Sequence, residues 1–254
     1  MKGIYRYGSE VNSHDLIKIL AISAMVIDHV GRYLLANNVW MRVVGRLAAP
    51  QFFFLVGYSG SYKFKREILL YGLVLVTVTY ITDSGTGFVD RIAPLNILLS
   101  FVLIKALLNR FDPSKQPTEN LFALLIALVI FSLPSYLLIE YGTLGLCYAI
   151  GARLIRQRHE FALIWICTTV AVHFFYAMFS LPILELDMAQ QYIVPAIALL
   201  LVVFLTNLTI FLRYGFRVFK VEPRILRTLV IFTSRHSLEI YVVHLAAFMI
   251  IDYV

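Results

Sequence analysis

Apolar blocks long enough to cross a bilayer constrain this chain more than any other feature. A membrane-spanning helix needs ~20 apolar residues, and nine blocks approach that length: Leu16–Leu35, Val39–Tyr58, Ile68–Ile81, Ile92–Leu108, Leu121–Ile139, Tyr141–Ile155, Phe161–Phe179, Tyr192–Phe211 and Leu238–Tyr253. The third and sixth are short, as tilted, broken or re-entrant segments are. Only 15% of the residues are charged, where a soluble domain carries about a quarter. Inside hydrocarbon each segment must satisfy its own backbone hydrogen bonds, which predicts helices. The expected fold is all-α: a polytopic integral membrane helix bundle with about nine transmembrane helices, forming one domain over residues 1–254. Ile225–Phe232 is too short to cross and is interrupted by Arg227, which suits an interfacial segment. Met1–Asp15 is largely polar and no small-residue cleavage site follows Leu16, so the first run is expected to stay as a helix rather than leave as a signal peptide.

The charges then give a direction. Fifteen Lys and Arg residues fall at the N-terminus and in every second loop, among them Lys63, Lys65, Arg66, Arg156, Arg217 and Arg224. The opposite loops hold only Arg42 and Arg91, with the acids Asp83, Asp90, Glu140, Glu185 and Asp187. Positive charge stays in the cytoplasm, so the N-terminus is expected inside and the C-terminus outside. Orientation explains the net charge of +7 better than nucleic acid does, because the basic residues are spread over several loops. Cys147 and Cys167 both lie inside apolar runs and read as small buried residues rather than a disulfide or a metal site.

With direction fixed, depth follows from the helical rise. His29 lies ~9 Å below the outer surface at 1.5 Å per residue, and Arg46 on the returning second span reaches a similar depth. Asn96 and His173 fall in the outer half, Glu140 and Tyr141 cap an outer hairpin, and His244 lies near the middle of the last span. Ionisable groups at membrane depth are costly and tend to mark sites facing the bundle interior. Polar groups from six spans thus share one leaflet, and the centre of gravity is Asp28-His29 with Arg32. A carboxylate can hold an imidazole in one tautomer. Adjacent residues point to different helix faces, however, and Asp28 is four residues from Arg32 on the same face, which favours that pair. Arg46 could instead snorkel to headgroups, His173 could be a hydrogen-bonded core histidine, and Asn96 could bind helices together.

On the inner side Lys18, Lys105 and the basic loops form a positive rim suited to phosphates or to anionic lipid. The chain has no GxxxxGK[ST] loop, GxSxG elbow, HExxH helix or CxxC pair. Those absences argue against P-loop ATPases, elbow-type serine hydrolases and zinc proteases, and they leave membrane-embedded acyl transfer without a metal open.

Five stretches carry a resemblance. They are Asp15-Leu16-Ile17-Lys18 leading to Met25 through Arg32, Met41 through Pro50, Asn96 through Ser100, Glu140 through Gly145, and Ser237 through His244. In this order, and over most of the chain, they resemble the TraX family of membrane proteins that N-acetylate conjugative pilin. A wider similarity is to the acyltransferase-3 type of membrane acyltransferase, whose first helix carries Arg, ten residues, then His. Lys18, ten residues and His29 reproduce the spacing, while lysine departs from the pattern by losing a bidentate fork.

The resemblance implies acetyl transfer from cytoplasmic acetyl-CoA to an extracytoplasmic amine or hydroxyl, at the bacterial inner membrane. His29 would be the general base, oriented by Asp28 or a neighbour, and Arg46 would stabilise the oxyanion. Arg32, Asn96, Glu140, Tyr141, His173 and His244 would line the acceptor side, and Lys18, Lys63, Lys65 and Arg66 would hold the CoA phosphates. The family favours a pilin N-terminal amine, with a surface glycan or lipid hydroxyl as the alternative. A transporter or flippase would line a pathway with the same polar groups but predicts internal repeats, and no convincing repeat is present. A scaffold would spread its polar groups over both leaflets.

Overall fold

The computed structural model describes residues 11–35, 38–60, 66–82, 95–180, 218–219 and 224–253. Among these the chain is all-α apart from a two-residue antiparallel ladder that pairs Val11 with Phe219 and Asn12 with Val218, and an isolated bridge between Leu95 and Ile139. Helix α1 spans Ser13–His29. It starts at a capping box: the Asn12 Oδ1 accepts from the His14 and Asp15 N–H groups at 2.9 and 3.1 Å, and the Asp15 carboxylate accepts the Asn12 N–H at 3.0 Å. Three of the four orphan donors of the first turn are thereby satisfied. A π-helical turn, Val30–Leu34, continues α1.

The second apolar run forms two helices, α2 (Val39–Gly45) and α3 (Ala48–Ser59), separated at Arg46–Leu47. Pro50 explains the break, since it has no N–H to return to the Arg46 carbonyl four residues earlier. The same cause divides the fifth run. Helix α6 (Thr118–Ile130) stops where the ring of Pro134 would meet the Ile130 carbonyl, and a short α7 (Ser132–Tyr136) follows. Between them in sequence lie α4 (Arg66–Thr82), which is continuous through the short third run, and α5 (Ile97–Arg110). The remaining helices are α8 (Gly142–Gln157), α9 (Ala162–Ser180), α10 (Arg224–Arg235) and α11 (Ser237–Tyr253).

The nine-span expectation is met in part, and one cysteine departs from its expected place. Among the described residues one helical stretch, Val39–Ser59, is long and apolar enough to cross a membrane, with Thr118–Ile130 and Ala162–Tyr176 as shorter apolar helices. The other runs are shortened by caps and prolines or carry charge, and the Tyr192–Phe211 run lies outside the described residues. Cys167 is exposed on α9 while Cys147 is buried, and both thiols are free. An apolar run can present a cysteine outward as readily as inward, because the run alone does not set which face packs.

Helix α8 is the centre of the core. Leu144, Cys147, Tyr148, Ala149, Ile150, Ala152, Leu154 and Ile155 are all buried along it, and it packs on α3, α5, α6, α7 and α9. Small residues let the backbones approach closely. A Cβ added at Gly57 would stand 1.9 Å from the Ala149 carbonyl oxygen, and one at Gly145 would stand 2.7 Å from the Phe53 ring. The first contact is with backbone and cannot swing aside. Gly57→Ala should therefore push α3 off α8 and destabilise the fold by roughly 1–3 kcal/mol, the usual range for overpacking. A lowered midpoint of thermal unfolding in detergent is the expected measurement, and an unchanged midpoint would refute this packing.

At one end of α8 the Arg153 guanidinium forks onto Asp112, with Nε donating at 3.2 Å and a terminal nitrogen at 2.9 Å. This pins the loop after α5 and, through the Arg153 hydrogen bonds, holds the Asp112 carboxyl down at about 2. On the outer circumference large apolar side chains are exposed rather than packed, including Leu70, Ile81, Leu163, Ile164, Phe175, Val243 and Ile251.

Candidate functional site

The site is built where α1 ends. His29 is the last residue of α1, and the π turn that follows inserts an extra residue per turn there, a device that recurs at functional sites. The change of register turns Arg32 outward, where it is exposed and its guanidinium sits 5.1 Å from the Tyr33 ring centre. The ion pair expected between Asp28 and Arg32 gives way to another. The Arg42 Nε donates to the Asp28 Oδ1 at 2.9 Å, and both side chains are largely buried. Gly45, one turn beyond Arg42 wherever α2 faces α1, makes room for this: a Cβ there would lie 2.0 Å from the Asp28 Cβ. Asp28 thus ties α1 to α2 instead of orienting His29.

The partner of His29 comes from the far end of the chain. The His29 Nδ1 lies 2.7 Å from the Nε2 of His244 on α11, with the rings stacked at 4.9 Å between centroids. The other ring nitrogen of His244, Nδ1, hydrogen-bonds the Ile240 carbonyl one turn earlier. Tyr33 and Tyr241 flank His29 at 6.3 and 6.0 Å, and Phe248 closes on His244 at 5.7 Å. Both imidazoles are half-buried.

Arg46 sits in the break between α2 and α3, so the proline that splits the span also aims this guanidinium. It hydrogen-bonds the Tyr141 hydroxyl, and Asp28 and Tyr176 complete its electrostatic surroundings. Tyr141 is buried at the start of α8 with φ +64°, a left-handed conformation that costs a non-glycine residue roughly 1–2 kcal/mol. Its ring stacks on Tyr176 at 5.8 Å and meets Phe53 edge-on at 5.8 Å. Strain held by packing on three sides is characteristic of functional positions.

The other expected residues take quieter places. Asn96 caps α5, its Oδ1 accepting from Leu98 and Leu99 at 3.1 and 3.4 Å while Nδ2 donates to the Gly72 carbonyl of α4 at 2.8 Å. The Glu140 Oε2 accepts the Ile97 N–H at 3.0 Å, so its charge also rests on the positive end of α5. His173 is only 3% exposed and its Nδ1 meets the Tyr148 hydroxyl at 3.0 Å, which is the setting of a packing histidine. On the opposite end of α1 the Lys18 Nζ donates to the Ser234 carbonyl of α10 at 3.5 Å, and the Ser234 hydroxyl donates to Asp15 at 2.5 Å. Arg66 is exposed at the first residue of α4. Lys63 and Lys65 lie outside the described residues.

Sequence reasoning passed over Arg42, Tyr176 and Tyr241. Arg42 and Arg46 four residues apart share a helix face, and Tyr241 and His244 three apart share another, so both signals were present in the spacing. It also passed over the group near the start of α1 in which the His14 ring stands 5.4 Å from Tyr58 and the Arg156 guanidinium 5.8 Å from the same ring. Burial, with the Lys18 ammonium nearby, lowers His14 to about 4.

The family profile described as TraX protein matches residues 13–252. An uncharacterized protein of Rickettsia prowazekii (strain Madrid E) is 33% identical over 165 residues, which cover 65% of this chain and 63% of that protein. No solved structure matches.

Proposed function

Because the chain belongs to the TraX family, we propose that it is a membrane-embedded acetyltransferase that moves an acetyl group from cytoplasmic acetyl-CoA to an extracytoplasmic acceptor, a pilin N-terminal amine. The observation that carries this reading is the His29–His244 contact at 2.7 Å, beside the Asp28–Arg42 pair and the Arg46–Tyr141 hydrogen bond. A base, an oxyanion donor and a fixed scaffold are what acyl transfer needs.

The acceptor amine attacks the thioester carbonyl and its carbonyl oxygen gains charge. Arg46 and the Tyr141 hydroxyl stabilise that oxygen, and His29 removes the proton of the attacking nitrogen. The C–S bond then breaks, the amide remains on the acceptor, and the CoA thiolate leaves with the proton that His29 returns. Arg32, exposed beside the site, faces the acceptor. Lys18, eleven residues and about 16 Å along α1 from His29 at 1.5 Å per residue, is assigned to the donor phosphates together with Lys63, Lys65 and Arg66.

The belt of exposed Leu, Ile, Val and Phe side chains supports a lipid-facing circumference, and the lopsided basic loops support a cytoplasmic N-terminus with nine crossings of the bacterial inner membrane. Mass spectrometry of extracytoplasmic proteins and glycans, with and without the gene, tests the whole reading. Pilin should lose ~42 Da at its N-terminus when the gene is deleted, the mass of one transferred acetyl group. Loss from a glycan instead would reassign the acceptor. No loss anywhere, together with no binding of acetyl-CoA by the purified protein, would overturn the enzyme reading in favour of transport.

A further inference from the structure

We infer that His244 is the positioning residue of the site, holding His29 in the one tautomer that leaves its Nε2 lone pair facing the acceptor. This rests on the reading of His29 as the base. The geometry determines the hydrogens. A backbone carbonyl can only accept, so the contact between the His244 Nδ1 and the Ile240 carbonyl places a hydrogen on that nitrogen. In a neutral ring the remaining nitrogen, Nε2, is then an acceptor. The His29 Nδ1 lies 2.7 Å from it and must supply the hydrogen. His29 is left with Nδ1–H directed at His244 and a bare Nε2, which is the atom free to take a proton.

The function usually given to a carboxylate beside a catalytic histidine is here divided between an imidazole and a carbonyl. Asp28 does not fill it, because the His29 Nδ1 meets the His244 Nε2 while the Asp28 Oδ1 accepts from Arg42 at 2.9 Å. The arrangement also moves charge. When the His29 Nε2 takes the proton of the acceptor nitrogen, the ring becomes an imidazolium whose Nδ1–H already points at the His244 Nε2. The positive charge is shared across that hydrogen bond and steadied by the Ile240 carbonyl. When the thiolate leaves, the Nε2 proton goes to sulfur and both rings return to their starting tautomers. Protons balance without any further acid or base.

Replacements at His244 separate orientation from packing. His244→Leu fills the space but offers no acceptor, so His29 can rotate or exchange tautomer. Turnover should fall roughly 10²–10⁴-fold, the range for a base lost or held in the wrong tautomer, with little change in KM for acetyl-CoA. His244→Gln presents an amide oxygen to the His29 Nδ1–H and should recover most of the activity, to within about tenfold of the wild type. A structural role alone would not favour glutamine over the apolar isostere.

The second measurement does not depend on activity. Nitrogen-15 NMR of histidine-labelled protein in bilayers, with His29 assigned by loss of its signals in His29→Asn, should show a protonated Nδ1 and an unprotonated Nε2. In His244→Leu that preference should vanish. Wild-type protein with a protonated His29 Nε2 and a bare Nδ1, or a folded His244→Leu protein with wild-type turnover, would overturn the inference. Wild-type protein that shows the expected tautomer yet transfers no acetyl group would leave the orientation standing and remove the acetyltransferase reading.

Discussion

His29→Ala is expected to yield a folded, inserted protein whose acetyl transfer is reduced 10²–10⁴-fold, the usual cost of losing a general base. The fold should tolerate the change because His29 is half-buried at the end of α1, where the capping box at the other end and the Asp28–Arg42 pair both persist. His173→Ala is the contrasting variant. His173 is buried against the Tyr148 hydroxyl, and its removal strands a buried polar group at a cost of about 1–3 kcal/mol. That variant should lose yield and thermal stability while the surviving protein keeps its turnover. Both are read from initial rates per folded molecule, with acetyl-CoA and an acceptor peptide. Wild-type turnover by well-folded His29→Ala protein would remove His29 from the mechanism, and a His173→Ala protein that is stable but inactive would bring His173 into it.

The extent of the helices was largely legible, because apolar run length is a coarse and robust signal. The runs ending at Ile155 and Tyr253 reappear as α8 and α11 with no edge shifted by more than two residues. Interruptions inside a run were less legible, although Pro50 and Pro134 carry them. In each case the helix breaks where the proline has no N–H to return to the carbonyl four residues earlier. Helical rise along the runs puts His29, Arg46 and Tyr141 in the same half of the expected spans and His244 near the middle of its own. Partner choice was not legible at all. Whether Asp28 meets Arg32 or Arg42 depends on one extra residue in the turn Val30–Leu34, and helix spacing assumes a register that the π turn breaks. The pairing of His29 with His244, across 215 positions, depends on how α1 and α11 pack, and no local pattern encodes that.

Arg46→Gln is expected to lower kcat about 10²–10³-fold, the range for loss of one oxyanion donor, while KM for acetyl-CoA changes little. The split follows from when the contact matters. A thioester carbonyl in the ground state is a weak acceptor, whereas the tetrahedral intermediate carries a full negative charge, so a guanidinium aimed at that oxygen is realised chiefly in the transition state. Arg46 lies in the break that Pro50 imposes, with its guanidinium on the Tyr141 hydroxyl, and glutamine removes the charge and ends two bonds short of the terminal guanidinium nitrogens. Neutralising the donor rim should give the opposite pattern. Lys65→Gln with Arg66→Gln should raise KM for acetyl-CoA and leave kcat nearly unchanged, since phosphates are held alike in ground and transition states. That effect should shrink as salt rises, because exposed charges are screened over ~10 Å at 0.1 M, whereas the Arg46 effect, in a partly buried setting, should persist. If Arg46→Gln instead raises KM at constant kcat, Arg46 binds the donor and the oxyanion assignment passes to the Tyr141 hydroxyl alone.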